Sequence, residues 1–388
     1  MRLSRLKPFG SLPTNVGLGP PVLVVIAAVA LASAHFSAPW DQYDDGISAS
    51  AGTFLLHGLV PYRDFWLLYG PLSGYLVAVG SLAFGPSLTL LNMLGIAIGA
   101  TQAAAGFALL KRVSPPFVAA TCALAATVLP MLYSNVVPQA WTLSMALATC
   151  GIAVGIRPDR SRHSSFGTGF LIGLAFLSRQ DVGTYALISI LAVTRDRRII
   201  WGFLSLVVPC AAVLLAEVPL PALFEQLVWY PLVGQRLYRA ASIASLDPTD
   251  LAVLIAVWPV VIVPRLVLLG ALVAVLRRRA SAAMVTLLIF AALCQLQTAG
   301  RGDTIHFAEA STPAILLLGC FASSFAVRAV RLSVVALAGS LITISTILGL
   351  AEYGGPADTR EVAVEAAAHF VADHTRADDH IFVGLISN

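Results

Sequence analysis

WDQYDDGISASAGTFLLHGLVPYRDFWLLYGP, residues Trp40 to Pro71, is the one stretch where charges, aromatic rings and turn residues crowd together in an otherwise oily chain. It carries the carboxylates Asp41, Asp44, Asp45 and Asp64, the guanidinium of Arg63, and the rings of Trp40, Tyr43, Phe54, Tyr62, Phe65, Trp66 and Tyr69. Rings with a polar tip are best satisfied where hydrocarbon meets water. Ile47, Ala51, Phe54 and Leu55 recur at helical spacing, and Asp44 or Asp45 stands where the first turn needs an acceptor. The stretch thus predicts a short amphipathic helix on a membrane surface followed by an aromatic loop. Each feature alone has an ordinary structural explanation, as a helix cap or an interfacial belt. Their crowding makes the stretch a candidate active-site loop.

The surroundings fix the solvent. Of 388 residues, 58% are hydrophobic and 11% charged, with mean hydropathy +0.85; soluble domains carry about a quarter charged residues. The composition is that of a multi-pass membrane protein bathed in lipid bilayer. A net charge of +4 says little by itself and indicates no nucleic-acid partner. Cys122, Cys150, Cys210, Cys294 and Cys320 all fall in apolar segments without metal-ligand or CxxC spacing, so they predict neither a disulfide framework nor a zinc site.

The apolar runs predict an all-α polytopic protein with about eleven transmembrane helices. The first is Pro20 to Ala38, behind a basic lead with Arg2, Arg5 and Lys7. That lead and Ala32-Ser33-Ala34 also suit a cleavable signal peptide, but the run is long enough to span, and retention is expected. Pro71 to Phe84 is too short for a comfortable crossing and is expected as a second surface or re-entrant helix. Crossings follow at Ser87 to Leu110, Pro116 to Leu132, Gln139 to Ile156, Phe166 to Leu177 and Val182 to Val193. The last five are Ile199 to Ala216, Leu251 to Leu276, Ser281 to Leu296, Ser311 to Val327 and Leu332 to Leu350.

This topology puts sixteen of the 24 basic residues, including Lys111, Arg112, Arg195, Arg197, Arg198 and Arg277 to Arg279, on one side with only Asp159 and Asp196. By the positive-inside rule that side is cytoplasmic. The N-terminus is then inside, and the Trp40–Pro71 loop is outside the cell or inner membrane.

Between Arg162 and Arg195 the chain predicts two short limbs meeting at Arg179-Gln180-Asp181. Each limb reaches about 25 Å as helix, less than the roughly 30 Å core. The polar tip therefore sits below the outer surface, where Arg and Asp need a wet cavity or each other. One long helix is the rejected alternative, since it would put Arg162 and Arg195 on opposite sides. Arg265, twelve residues before Arg277, lies about 18 Å above that end and needs a partner too. Gly300 to His306 reads as an external turn. After Leu350 the composition changes: Thr359 can cap a helix to about Asp373, and His380 to Leu385 reads as a buried strand. Two domains are expected: a membrane domain over 1–350, with the external loop at 39–86, and an extracytoplasmic tail over 351–388. A strand needs a sheet, so the tail reads as the start of a small α/β domain that continues past Asn388, unless it docks on the outer loops.

An acidic pair after the first span, a helix ending in Gly, Pro61-Tyr-Arg-Asp-Phe65 and Tyr69-Gly-Pro71 together resemble the first external loop of GT-C type polytopic glycosyltransferases. That group includes protein O-mannosyltransferases and lipid A aminoarabinose transferases. The likeness covers roughly Trp40 to Arg198. It implies inverting transfer of a sugar from a polyprenyl-phosphate donor to an extracytoplasmic lipid, polysaccharide (glycan) or protein acceptor. Such chemistry needs a carboxylate to take the acceptor proton, cations to stabilise the leaving phosphate, and a groove for the prenyl tail.

The family pattern usually has Asp-Glu where this chain has Asp44-Asp45, which leaves open which of the two is the base; Asp44 matches the first acid. Phosphate contacts are assigned to Arg63 and Arg179, then Arg301 and Arg265, because guanidinium suits phosphate oxygens. Each Arg also has an ordinary role as an ion-pair partner, Arg63 with an Asp of its own loop. Tyr69, Gln180 and His306 are candidate substrate contacts, and Asp64, Asp181 and Asp303 are expected to orient the arginines. Asp41, Asp44 and Asp45 could hold a divalent Mg or Mn, but their spacing matches no metal motif, so no metal or other cofactor is expected. The rival reading is a transporter, since polar residues at membrane depth also mark substrate paths. Against it, the charges gather on one external face and no second half mirrors the first.

Overall fold

A computed structural model describes residues 19–34, 44–132, 136–157, 161–234, 251–277, 280–298, 304–323 and 328–353. Among these every regular element is helical. The acidic-pair helix is α2 (Asp44–Leu56), after α1 (Gly19–Ser33) and before α3 (Leu72–Phe84) and α4 (Leu88–Leu110). Next come α5 (Pro116–Val128), α6 (Ala140–Gly155), α7 (Arg162–Ser178), α8 (Gln180–Thr194) and α9 (Arg197–Glu217). A short α10 (Leu220–Phe224) runs into a π-helical stretch, Glu225–Gly234. The chain closes with α11 (Leu251–Leu276), α12 (Ala282–Gln297), α13 (Thr304–Ser323) and α14 (Arg328–Tyr353). The α/β tail expected beyond residue 353 lies outside the described residues.

Serines start three of these helices, because a hydroxyl can satisfy an orphan N–H of the first turn. Ser87, Ser161 and Ser281 accept from the backbone N–H of Leu90, Ser164 and Met284. Asp196 caps α9 through Arg198 N–H, and it also accepts from the Ser165 hydroxyl at 2.7 Å, tying α9 to α7. Those two helices touch backbone to backbone. A methyl on Gly169 would strike the Ile199 carbonyl, and one on Gly202 the Phe166 carbonyl.

Among the described residues, three helices, Leu88–Leu110, Arg197–Glu217 and Ile305–Ala322, are long and apolar enough to cross a membrane. The 13 residues of α3 make a rod of about 20 Å, short of the core as the sequence predicts. It packs on α2, Gly52 against Val77 and Gly74 against Ala51.

The hairpin expected at Arg179 is present. Helix α7 ends there, Arg179 takes extended φ, ψ of −150° and 116°, and α8 begins at the next residue. Gly183 comes against the backbone of Phe176, an approach that seven residues of continuous helix, about 10 Å long, forbid.

One expectation fails. Thr304 to His306 is not a turn but the first turn of α13, which begins seven residues before the predicted Ser311. The polar residues His306 and Glu309 made the segment look extramembranous, yet both are buried inside the bundle.

Candidate active site

The aromatic loop after α2 is built to a definite shape. Gly58 at φ 77° turns the chain out of α2. Val60 N–H donates to Asp64 Oδ2 at 2.7 Å and Tyr62 N–H to the Phe65 carbonyl at 3.0 Å. Tyr62 at the tip has φ 68°, a strained value for a side chain with a Cβ. Its phenol donates to the Tyr69 carbonyl at 2.7 Å. Burial of the ring pushes the phenol well above its ordinary pKa, so it stays a donor.

The buried Gln226 of the π-helical stretch clamps both limbs of this loop. Its Nε2 donates to the Tyr62 carbonyl and its Oε1 accepts from Leu67 N–H, each at 2.9 Å. Trp66 packs edge-on against Tyr230 of the same stretch, centroids 5.2 Å apart. Ala51, Tyr62, Leu67, Val218 and Leu223 form a small core beneath.

The loop ends by delivering Tyr69 to the hairpin tip. Gly70 lies against the Leu177 carbonyl so closely that a Cβ would overlap it. This contact brings the Tyr69 ring centroid to 4.9 Å from Arg179 Cζ. The Trp141 ring, from the start of α6, lies 4.8 Å from the same atom. Asp181 accepts from Arg179 Nε at 3.1 and 3.3 Å, Glu309 Oε2 stands 3.7 Å from Nη1, and Gln297 Oε1 lies 3.5 Å from Nη2. Five segments thus converge on one guanidinium. Its residue is only 8% exposed.

Arg179 stands in the wall of two adjoining cavities. The larger, about 520 Å³, is bounded by Leu68 and Tyr69 of the loop, by Gln180, Asp181, Thr184 and Tyr185 of α8, and by Leu227, Val228, Pro231 and Leu232 of the π-helical stretch. Leu296 and Gln297 of α12 and His306 of α13 complete it. Charged and polar side chains share its wall with the apolar Leu68, Leu227, Val228, Pro231, Leu232 and Leu296. The smaller cavity, about 20 Å³, runs between Arg179, Tyr69, Trp141, His306 and Glu309 to Ile47 and Ser48 of α2.

Of the residues singled out from the sequence, Tyr69, Arg179, Gln180, Asp181 and His306 therefore meet at one place. Asp44 and Asp45 open α2, one turn before Ser48; their side chains lie outside the described residues, as do Asp41, Arg301 and Asp303. Arg63 is engaged elsewhere. Its Nε and Nη2 donate to the two Asp64 oxygens at 2.9 Å, and Nη1 donates to Glu217 at 3.2 Å. That fork holds its charge and pulls the Asp64 carboxyl below the ordinary range.

Arg265 stacks on Phe307 at 4.9 Å and donates to the Val261 carbonyl at 2.6 Å. Neither Arg63 nor Arg265 borders the two cavities. Among the described residues no three His, Cys, Asp or Glu side chains are grouped as metal ligands. Sequence reasoning missed Glu309, Trp141 and Gln297. A carboxylate inside an apolar helix is itself a functional signal, and Glu309 was legible by that rule.

No protein-family model matches the chain, and no curated protein matches it. Solved structures do. ArnT from Cupriavidus metallidurans bound to undecaprenyl phosphate superposes with TM-score 0.64 at 14% identity, over 93% of this chain and 81% of that one. The apo ArnT gives 0.55 at 17%, over 79% and 59%. The Archaeoglobus fulgidus oligosaccharyltransferase AglB, in complex with an inhibitory peptide and a dolichol-phosphate, gives 0.57 at 12%, over 92% and 58%. The chain thus spans less than two thirds of the latter two. These neighbours are GT-C glycosyltransferases. The protein has their fold and is an integral membrane protein.

Proposed function

We propose that the protein transfers a sugar from a polyprenyl-phosphate donor to a hydroxyl acceptor on the outer face of the membrane. The observation that carries this is the buried Arg179 fork, set by a broken helical hairpin beside a cavity whose wall combines polar and apolar side chains. A charged head on a long hydrocarbon tail is the ligand such a cavity suits. Neighbours of the same fold are seen with undecaprenyl phosphate or dolichol-phosphate.

In the free protein Asp181 and Glu309 share the guanidinium. Asp181 is 31% exposed and Glu309 only 7%, so an arriving phosphate displaces Asp181 and leaves Glu309 to hold the arginine in place. Arg179 then donates two parallel N–H bonds to phosphate oxygens.

Asp44, or Asp45, takes the proton of the acceptor hydroxyl. The acceptor oxygen attacks the anomeric carbon with inversion while the bond from that carbon to the phosphate oxygen breaks. The electron pair leaves with the lipid phosphate, whose charge Arg179 stabilises. Tyr69, Gln180 and His306 orient the substrates. The topology proposed with this has eleven crossings, a cytoplasmic N-terminus and α2 outside.

The test is reconstitution in lipid with a panel of polyprenyl-phosphate sugars, comparing the native chain with Asp44→Asn, Asp45→Asn and Arg179→Ala. Turnover lost in one aspartate variant and in Arg179→Ala is the expected result. Silence across the panel, with solute flux that Arg179→Ala abolishes, would mean a transporter instead.

A further inference from the structure

Beside Trp141 lies a further chamber of about 40 Å³ lined by residues of α4, α5, α6 and α13. No charged residue lines it; its walls are apolar side chains, glycines and a few neutral polar groups. Three of those are Gln102, Trp141 and Thr312, exposed by only 6%, 2% and 2%. Among the described residues, Gln102 Nε2 and Oε1, Trp141 Nε1 and Thr312 Oγ1 have no hydrogen-bond partner. Burying a polar atom without a partner is costly, and native interiors satisfy nearly all of them. Here the three residues that carry four such atoms, from three different helices, line one space.

We propose that this chamber is a binding site for neutral hydroxyl oxygens. Two or three waters fill it in the free protein, and hydroxyls on one edge of the transferred sugar replace them when donor is bound. The chemistry selects the ligand class. An indole N–H and an amide N–H give, an amide oxygen accepts, and a hydroxyl does either, which suits an uncharged group that both donates and accepts. At roughly 10–15 Å³ per water, the volume fits two or three oxygens and no complete sugar ring.

The location selects the source. Trp141 is the wall common to this chamber and to the small cavity beside Glu309, and its ring lies 4.8 Å from Arg179 Cζ. A sugar joined to a phosphate held by Arg179 therefore has the chamber one indole away.

The sugar half of this proposal rests on the function proposed above, and the experiment separates the two. Binding to the reconstituted protein is measured for bare undecaprenyl phosphate and for undecaprenyl phosphate carrying glucose, mannose or arabinose. The wild type is compared with Gln102→Leu, Thr312→Val and Arg179→Ala. At least one glycosylated lipid is expected to bind more tightly than the bare lipid. Gln102→Leu and Thr312→Val each reduce that increment about three- to tenfold, the effect of one neutral hydrogen bond, and leave the bare lipid unchanged.

Leu and Val keep nearly the volume of Gln and Thr, so a retained thermal midpoint serves as the folding control. An increment that both variants leave intact, or no increment with any sugar, overturns the sugar site. Loss of bare and glycosylated binding alike in the two variants overturns it also. Failure of the wild type to bind any of the lipids overturns the parent function, and the sugar assignment with it. A high-resolution structure without lipid checks the water: oxygen density bonded to Gln102 and Thr312 supports the chamber, and a dry chamber refutes it.

Discussion

Arg63 and Arg179 each stand beside two carboxylates, in opposite surroundings. Arg63, on the loop tip, pairs with Asp64 and Glu217 in solvent, with 41% of its side chain exposed. Arg179, at the hairpin break, pairs with Asp181 and Glu309 under two aromatic rings, with 10% exposed. Water and salt screen the first pair and make it a fastening of modest effect. Around the second, water is largely excluded, so the charge acts strongly on any group that reaches it. Residue type alone does not distinguish an exposed clasp from a buried cation of the kind proposed here to hold phosphate; burial does.

The contrast breaks most readily at Arg179. Arg179→Ala leaves the buried Glu309 without its cation and should lower stability by about 3 to 5 kcal/mol, read as a fall in thermal midpoint, with no measurable lipid-phosphate binding in what remains folded. Arg179→Lys keeps the charge and loses the planar fork, so it should restore most of the stability and little of the binding. Binding restored in full by Lys would mean that charge alone, and not the fork, defines the site.

Gly70→Ala comes next in size, because it touches no charge yet acts on Arg179. The added methyl meets the Leu177 carbonyl, and overpacking of this kind costs about 1 to 3 kcal/mol. Tyr69 is pushed from the guanidinium, and sugar transfer should fall by more than the stability loss explains. A variant with wild-type turnover would show that the Tyr69 ring contributes nothing to the site.

The hairpin was legible because Arg162 and Arg195 belong on the same basic side, which one long helix through Arg179 would forbid. Length alone identified α3 as a helix too short for a comfortable crossing. The meeting of Tyr69 with Arg179 was not legible, since it depends on Gly70 lying against Leu177, a contact between segments more than a hundred residues apart. Glu309 escaped for a different reason. It was treated as a loop residue because carboxylates are costly in hydrocarbon, whereas its partner, Arg179, comes from another helix. Periodicity places side chains along one element and says nothing of which other element supplies the counter-charge. For the same reason Arg63 and Arg179 looked alike in the sequence.

A smaller effect is expected from the amide that joins loop to bundle. Gln226→Leu removes two hydrogen bonds and leaves Tyr62 C=O and Leu67 N–H unpaired in a buried setting, at about 1 to 3 kcal/mol. The loss should be local. Amide hydrogen exchange is expected to rise across residues 60 to 70 and to stay unchanged in α7 and α8. Faster exchange throughout the hairpin would mean that the loop supports the Arg179 site as a whole and does not merely deliver Tyr69.

The smallest effect belongs to the exposed clasp, and its sign is set by the protonation state. Asp64 is held below its ordinary pKa by the Arg63 fork. The stabilisation it gives is therefore present above the unfolded carboxylate range and is lost as pH falls through the depressed folded value. Arg63→Ala should change the thermal midpoint little at pH 7 and not at all once Asp64 is protonated in acid, and added salt should shrink the difference at pH 7. Lipid-phosphate binding should remain within about twofold of wild type, as for other exposed pairs. A large loss of binding in Arg63→Ala, with thermal stability intact, would place Arg63 at the phosphate and end the distinction between the two arginines.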